Sequence, residues 1–371
     1  MRLALDATPL LGRPTGVGRY VAGLVGGLAA LPDAPELVLT GFSWRGIPDH
    51  APAGARWATR RAPARGLQAL WSRVDWPPIE LLSGPCDVFH ATNYVLPPTR
   101  RAAGVVSVHD LSFALHADTV TPEVQRYQQL VPRGLRRAGA VLTLSEATAD
   151  EVAEHYRLDR SLVHAARPGV GAEWFATLPP TDAWREEHGL PASYLLFVGT
   201  QEPRKNLPVL LEALRLLQRD GVEHPPLVLA GPAGWGDPVD DSDLLPGSVR
   251  RLGYVRDEVL RGTVAGAAVL VFPSRHEGFG LPPLEALACG TPVVSSDLPV
   301  LREVTGDQAL YAAVGDPADL AVRLLDALAD PSGTPGRRAR QEHARAFTWE
   351  RCAREAMAVY SSVDRRRPTR P

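Results

Sequence analysis

Short apolar runs alternate along the chain with longer stretches in which apolar positions recur every three or four residues. RLALD (2–6), ELVLTG (36–41), DVFHA (87–91), GVVSVHD (104–110) and AVLTLS (140–145) read as strands buried on both faces. Between several of them lie amphipathic stretches with helical spacing, such as VGRYVAGLVGGLAAL (17–31) and TPEVQRYQQLVPRGLRRAG (121–139). The alternation restarts after residue 190 with YLLFVG (194–199), PLVLAG (226–231), VRRLGYV (249–255), AVLVFPS (268–274) and TPVVSS (291–296). Apolar strands alternating with helices predict an α/β fold with doubly wound parallel sheets, and two such series predict two Rossmann-like domains. The expected division is residues 1–175, 176–350, and a C-terminal helix with a basic tail, 351–371, packing back on the N-terminal domain. The join falls near ARPGVGAEWFATLPPTD (166–182), which is rich in Gly and Pro and has no helical period.

Composition narrows the function classes. The 371 residues are 45% hydrophobic and 22% charged, enough apolar sequence for two large cores. A net charge of −2 gives no global attraction to nucleic acid. Cys86, Cys289 and Cys352 are odd in number, far apart and without a CxxC, which argues against a disulfide framework or a zinc site. Asp6 interrupts the N-terminal apolar run too early for a secretory leader, and no run of about 18 apolar residues exists, so a cytoplasmic protein is expected.

In open α/β sheets ligands bind beyond the carboxyl ends of strands, so the residues just after each strand carry the chemistry. QEPRKN (201–206) follows YLLFVG and holds Lys205, the single lysine in a chain that otherwise uses arginine. Arg204 and Lys205 stand before a helix that Asn206 and Pro208 should start; two cations at a helix N-terminus favour an anion, and a diphosphate suits them. Two solvated surface cations are the plain alternative. The second stretch, PSRHEGFGLPPLEALACGTPVV (273–294), follows AVLVF. Gly278 and Gly280 let backbone approach a ligand, and Pro282 and Pro283 start a helix. Glu277 and Glu285 are suited to sugar hydroxyls, because each carboxylate oxygen accepts charge-assisted hydrogen bonds. A lone Glu285 could equally do no more than complement a helix dipole. His109, beside Asp110 after an apolar strand, is a third candidate; a core histidine is the competing reading.

EPRKN and EGFGLPPLEALACGTPVV together resemble the signature of the retaining, nucleotide-sugar-dependent glycosyltransferases of family 4, which have the GT-B fold. The resemblance runs along the chain, from TGVGRY (15–20) through the HD pair (109–110) to the two C-terminal motifs. It implies that Arg204 and Lys205 bind the donor's diphosphate, that Glu285 takes the ribose hydroxyls, and that Glu277 takes hydroxyls of the transferred sugar. Backbone at Phe279 and Gly280 would meet the phosphate or sugar. Gly253, Tyr254 and Val255 would flank the base. Gly16 and Gly18 would approach the phosphate or the acceptor, and His109 the anomeric carbon or the sugar's 6-hydroxyl. The chemistry is expected to need neither cofactor nor metal. GTQEPRKN, VHDLSF and EGFGLPPLEA are most similar to bacterial members that use GDP-mannose or related donors in polysaccharide assembly. The partners implied are a nucleotide-diphosphate sugar and a glycan, lipid-linked or small-molecule acceptor. Acceptor choice would rest on the loops 43–80 and 92–103.

Other readings are weaker. TGVGRYVAG has Val21 where a dinucleotide fingerprint needs glycine, and Glu36 precedes the second strand rather than ending it. DDSD (240–243) could pass for a metal motif but lies in a Gly/Pro-rich loop. A nucleotide-sugar epimerase of the same fold would need no acceptor, and a non-catalytic sugar-nucleotide-binding protein could lose Glu277 or His109. Arg100, Arg101, Arg133, Arg136 and Arg137 could form a basic patch toward anionic lipid, or could simply be scattered and solvated.

Overall fold

The computed structural model describes residues 1–12, 15–43, 48, 50–58, 63–235, 240–329 and 336–365. Parts of the 43–80 loop, of the loop before DDSD, and the tail from 366 lie outside the described residues. The chain forms two compact units. The first takes Met1–Leu115, Pro122–Gly169 and the chain from Phe347 onward; the second takes His116–Thr121 and Val170–Ala346.

The first unit holds a seven-stranded parallel sheet in the order β3-β2-β1-β4-β5-β6-β7. The strands are β1 (Arg2–Asp6), β2 (Glu36–Thr40), β3 (Ala55–Trp57), β4 (Val88–Ala91), β5 (Ala103–Ser107), β6 (Ala140–Thr143) and β7 (Val163–Ala165). Central strands such as β4 and β6 are buried along their whole length, as their unbroken apolar runs require. β3 and β7, each three residues long, are the sheet's edges. The predicted helix over 121–139 divides into Pro122–Gln125 and Tyr127–Leu135, with Pro132 inside the second. Strand order reverses between β1 and β4, which pair directly. That neighbourhood is the unit's topological switch point.

The second unit repeats the plan with six parallel strands in the order β10-β9-β8-β11-β12-β13. These are β8 (Leu195–Val198), β9 (Leu227–Ala230), β10 (Val249–Gly253), β11 (Val269–Phe272), β12 (Val293–Ser296) and β13 (Leu310–Ala312). Its switch point lies between β8 and β11. The helix Leu207–Arg219 buries Leu210, Leu211, Leu214 and Leu217 against Leu195, Phe197, Leu227 and Leu229. Each such leucine contributes about 1.5–3 kcal/mol on burial. The helix Leu281–Cys289 ends at Gly290, in the left-handed region at φ 76°. Its last carbonyls are closed from outside: Arg340 Nε donates to Gly290 O (2.9 Å) and Gln341 Nε2 to Ala288 O (3.1 Å). Cationic capping at that end also opposes the helix dipole.

The helix Trp349–Arg365 belongs to the first unit and packs on the helix Gly16–Ala29. Its first residue explains why. A Cβ on Gly23 would stand 2.3 Å from the Trp349 ring, one on Gly27 2.4 Å from Trp349 O, and one on Gly169 2.1 Å from Trp349 N. Three glycines thus form a socket for one tryptophan, and residues 347–350 stay with the first unit. Further along, Tyr360 OH lies 2.8 Å from His90 Nδ1, and His90 Nε2 lies 2.8 Å from Ser107 Oγ. Burial pushes His90 down to about 3, so it is a neutral member of this network at physiological pH. Arg167 and Glu355 add an ion pair at 3.3 Å.

The socket reverses the usual effect of glycine in a helix. Replacing Gly26, whose added Cβ meets nothing within 4 Å, with Ala should stabilise the protein by about 0.5–1 kcal/mol. Gly23→Ala in the same helix should destabilise it by about 1–3 kcal/mol through overpacking against Trp349. Denaturant unfolding of the two variants checks the contrast in sign.

Candidate active site

The second unit's switch point is built from two loops. β8 ends at Val198, Gly199 turns at φ 145°, and the chain runs through Glu202 into the short turn Pro203–Lys205. The loop after β11 brings Arg275, His276 and Glu277. Arg275 N donates to Arg204 O at 2.9 Å, so the loops are joined through backbone. Asn206 occupies the predicted cap position of Leu207–Arg219 but does not cap it with its side chain. It sits in the left-handed region at φ 56°, fully buried, and its Oδ1 accepts from Arg275 Nε at 3.0 Å. Asn is among the few non-glycine residues that adopt this conformation readily. It turns the chain so that Arg204 and Lys205 point together.

They point at one carboxylate. Glu277 Oε2 accepts from Arg204 Nη1 at 2.9 Å, and Glu277 Oε1 from Lys205 Nζ at 2.6 Å. Arg204 is held twice more, by His276 O (2.9 Å) and by Glu202 Oε1 (2.6 Å). Lys205 Nζ also lies 4.6 Å from the centre of the Phe272 ring. All four charged side chains are largely buried. Burial alone would raise the Glu277 carboxyl; the charges of Arg204 and Lys205 outweigh it and hold it at about 2. The cluster is therefore two cations shared between two carboxylates, neutral as a whole, with Coulombic interactions strengthened by partial exclusion of water. Sequence reasoning paired the cations with a ligand and missed that they pair with Glu277. It also gave no role to Glu202, although an acid two positions before Arg204 on one loop was a usable signal.

The other C-terminal candidates spread around this cluster. Glu285 is buried in the helix Leu281–Cys289. Gly280 caps that helix at φ 107°, and a Cβ there would meet Leu301 at 2.7 Å, so glycine is required by packing as well as by conformation. The Phe279 ring is in the core, which leaves its backbone for any ligand. Gly253 ends β10 at φ 67°, followed by exposed Tyr254 and half-buried Val255. In DDSD, Asp241 pairs with Arg251 Nη1 at 2.7 Å and Asp240 Oδ1 accepts from Ser242 N, so both acids serve their own turn.

In the first unit, His109 follows β5 and is buried. Its Nε2 donates to Thr92 O at 2.7 Å, which leaves Nδ1 as the acceptor. Nδ1 is buried without a hydrogen-bond partner. Burial lowers the ring's pKa, against the opposing effects of Thr92 O and Asp110, so a neutral imidazole is favoured. Tyr20 and Tyr94 hold the ring edge-on at centroid distances of 5.4 and 5.3 Å. Gly16 is open to added volume, and Thr15 caps the helix that it begins. Gly18 is explained within its own loop: a Cβ would meet Pro9 O at 2.8 Å.

Two doubly wound units, one with paired cations at its switch point, define a two-domain α/β protein built around a polyanionic ligand. Comparison with known proteins makes the class specific. Residues 14–174 match the family model Glycosyltransferase Family 4, and residues 192–330 match the model Glycosyl transferases group 1. The chain is 29% identical to the O-antigen chain mannosyltransferase B of Escherichia coli over 97% of this chain and 99% of that protein. It is 34% identical to a D-inositol 3-phosphate glycosyltransferase of Streptomyces bingchenggensis over 62% of this chain and 54% of that protein. Among solved structures it is similar to sucrose-phosphate synthase from Thermosynechococcus elongatus (TM-score 0.72, 19% identity, 98% of this chain and 99% of that one). It is also similar to the Anabaena protein HepE in complex with UDP and glucose (TM-score 0.68, 16% identity, 97% and 99%). The chain belongs to the family 4 glycosyltransferases, enzymes of the GT-B fold, and resembles the bacterial mannosyltransferases among them.

The ion cluster makes a stability prediction. Glu277→Gln strips the anion from two buried cations and should cost about 3 kcal/mol at neutral pH. The folded-state pKa is depressed, so the wild-type advantage is complete above the ordinary carboxylate value of 4.5 and disappears as the pH falls toward 2. Urea unfolding of both proteins across that range checks magnitude and window. Equal stabilities at pH 7 would refute the pairing.

Proposed function

We propose that the protein transfers a hexose from a nucleotide-diphosphate sugar to a glycan or lipid-linked acceptor, with GDP-mannose as donor and with retention of the anomeric configuration. The observation that carries the reading is the pair of cations at the second unit's switch point, clasping a carboxylate in a geometry that suits a diphosphate. In this reading the donor's phosphates take Arg204 and Lys205 from Glu277, and the released carboxylate turns to hydroxyls of the sugar. Glu285 takes the ribose hydroxyls. Backbone at Phe279 and Gly280 meets the phosphate or sugar, and Gly253, Tyr254 and Val255 flank the base. The neutral His109 offers Nδ1 to a sugar hydroxyl, and Gly16 and Gly18 serve the phosphate or the acceptor. Mannose is favoured because the E. coli relatives are described as mannosyltransferases. A diphosphate nucleotide is supported by the UDP-sugar ligand of the structurally similar HepE. An epimerase is not favoured, since the matching models and named relatives are glycosyltransferases.

Transfer then proceeds on one face. The bond from the anomeric carbon to the phosphate oxygen breaks as the acceptor oxygen bonds to the same face of that carbon. The acceptor's proton passes to the leaving phosphate, whose growing charge Arg204 and Lys205 stabilise. No divalent ion is needed in this scheme. The product of GDP-mannose transfer should keep the donor's anomeric configuration by NMR and should form in excess EDTA. In a thermal-shift panel of sugar nucleotides, the donor at 100 times its Kd should add about 2.7 kcal/mol. An inverted product would overturn the mechanism.

Among the described residues no helix is long and apolar enough to cross a membrane. We further propose that the first unit touches anionic lipid. Arg133 and Arg137 each pair with Asp75 (3.4 and 3.2 Å), and Arg133 also binds the carbonyls of Ser72 and Arg73. They therefore brace a loop that presents Val74 and Trp76, the latter 62% exposed, while Arg100, Arg101 and Arg136 are exposed. Basic residues near the surface each add about 1 kcal/mol of attraction. Co-sedimentation with phosphatidylserine vesicles at low salt, reduced in Trp76→Ala, is the expected result. Failure to sediment would mean that the arginines are only solvated.

A further inference from the structure

The two sheets share one winding rule, and that rule singles out a residue with no assigned part. In the second unit the switch point between β8 and β11 carries the ion cluster. In the first unit the corresponding place lies between β1 and β4, and the last residue of β1 is Asp6. Its side chain is buried, at 8% exposure for the residue. Among the described residues no cation pairs with it. Its Oδ1 accepts from Thr8 N at 2.9 Å, an interaction within its own turn. A buried carboxylate without a cation is costly, and such groups are kept where a ligand supplies the missing hydrogens.

The neighbours fit one kind of ligand. Thr92, just after β4, donates its hydroxyl to Asp6 O at 2.5 Å and accepts His109 Nε2 on its carbonyl at 2.7 Å. The strand ends of β1, β4 and β5 are thereby tied together, with the unpartnered His109 Nδ1 in the same group. Tyr94 completes it: it is held in the left-handed region at φ 63° and stacks on Tyr127 at 4.8 Å. A non-glycine residue kept in that region is strained and marks a place where the fold enforces a geometry. A carboxylate, a neutral imidazole acceptor and aromatic rings recognise a neutral polyol. They repel an anion, so this edge is unsuited to phosphate.

We propose that Asp6 is the acceptor-binding carboxylate, taking hydroxyl hydrogens of the saccharide that receives the sugar; the assignment rests on the transferase reading above. The burial that isolates Asp6 raises its carboxyl to about 6 despite the opposing Thr8 hydrogen bonds, as expected of a site that lacks its donor groups. A carboxylate that only stabilised its own turn would instead affect all steps of the reaction alike.

The test uses the purified full chain with GDP-mannose as donor, and methyl α-mannoside and short mannose oligosaccharides as acceptors. Transfer and donor hydrolysis are measured together. Asp6→Asn should lower the ratio of transfer to hydrolysis about 30-fold and raise the acceptor KM, the scale of one lost hydrogen bond to a charged group. GDP affinity should stay within about twofold, since a diphosphate is bound by other groups. If Asp6→Asn does not fold, Asp6→Glu carries the test: it keeps the charge, moves it by one methylene, and should show the same loss of ratio. An unchanged ratio in a folded variant overturns the proposal. So does a wild type that hydrolyses the donor and transfers to no saccharide. A wild type that neither binds GDP nor consumes any sugar nucleotide would instead remove the transferase reading itself.

Discussion

One carboxylate between two cations organises the second unit's functional edge. Glu277 reaches both Arg204 and Lys205 only because β8 and β11 are neighbours, so that the loops leaving them start side by side. The left-handed Asn206 closes the first loop, and the Arg275 amide ties it to the second. Glu202 and the His276 carbonyl then fix the guanidinium from two further directions. Removing any one of these constraints would let a long side chain swing, and much of the value of such a site lies in losing no rotamer freedom when the ligand arrives. The lone lysine fits the same logic. Between the Phe272 ring and Glu277, a compact ammonium makes a short contact that a planar fork would make differently.

What could be read from the sequence follows the strength of each local signal. Ten strands announced themselves as apolar runs because they are buried on both faces. β3, β7 and β13 did not: each is three residues long and lies at a sheet edge, where one partner strand and partial exposure leave no continuous hydrophobic pattern. Pro132 marked the middle of one expected helix, yet the break falls at Arg126, where no residue type signals it. The phosphate-type motif was legible because two glycines, two prolines and two glutamates stand in a fixed order after a strand. The mutual pairing of Glu277 with Arg204 was not, since more than seventy positions separate them and only the sheet order brings them together.

Glycine shows the same limit more sharply. In TGVGRY the sequence presents two equivalent glycines, both suited to a ligand. The structure separates them: Gly16 faces open space, while Gly18 is required by the carbonyl of Pro9. Gly23 and Gly27, in what reads as an ordinary helix, receive Trp349 from the far end of the chain. A glycine in sequence declares that something comes close, and only the fold says whether that something is a ligand, a carbonyl or an indole. The last helix therefore belongs with the first unit for a reason that no local pattern contained.

The two switch points are alike in topology and opposite in electrostatic character, and that difference has a chemical meaning. At the second, two carboxylates balance two cations, so a polyanion can exchange for one of the carboxylates without leaving a net buried charge of the wrong sign. At the first, a carboxylate stands without a cation beside an imidazole that burial keeps neutral. A group that brings hydrogens satisfies it, and a group that brings negative charge does not. One winding rule thus produces two sites with different appetites, and the difference rests on which single residue ends the central strand's turn: Asp6 in one unit, and the Glu202–Lys205 loop in the other. Sugar transfer needs this asymmetry, because its two substrates differ in the same way, one carrying a diphosphate and the other presenting hydroxyls.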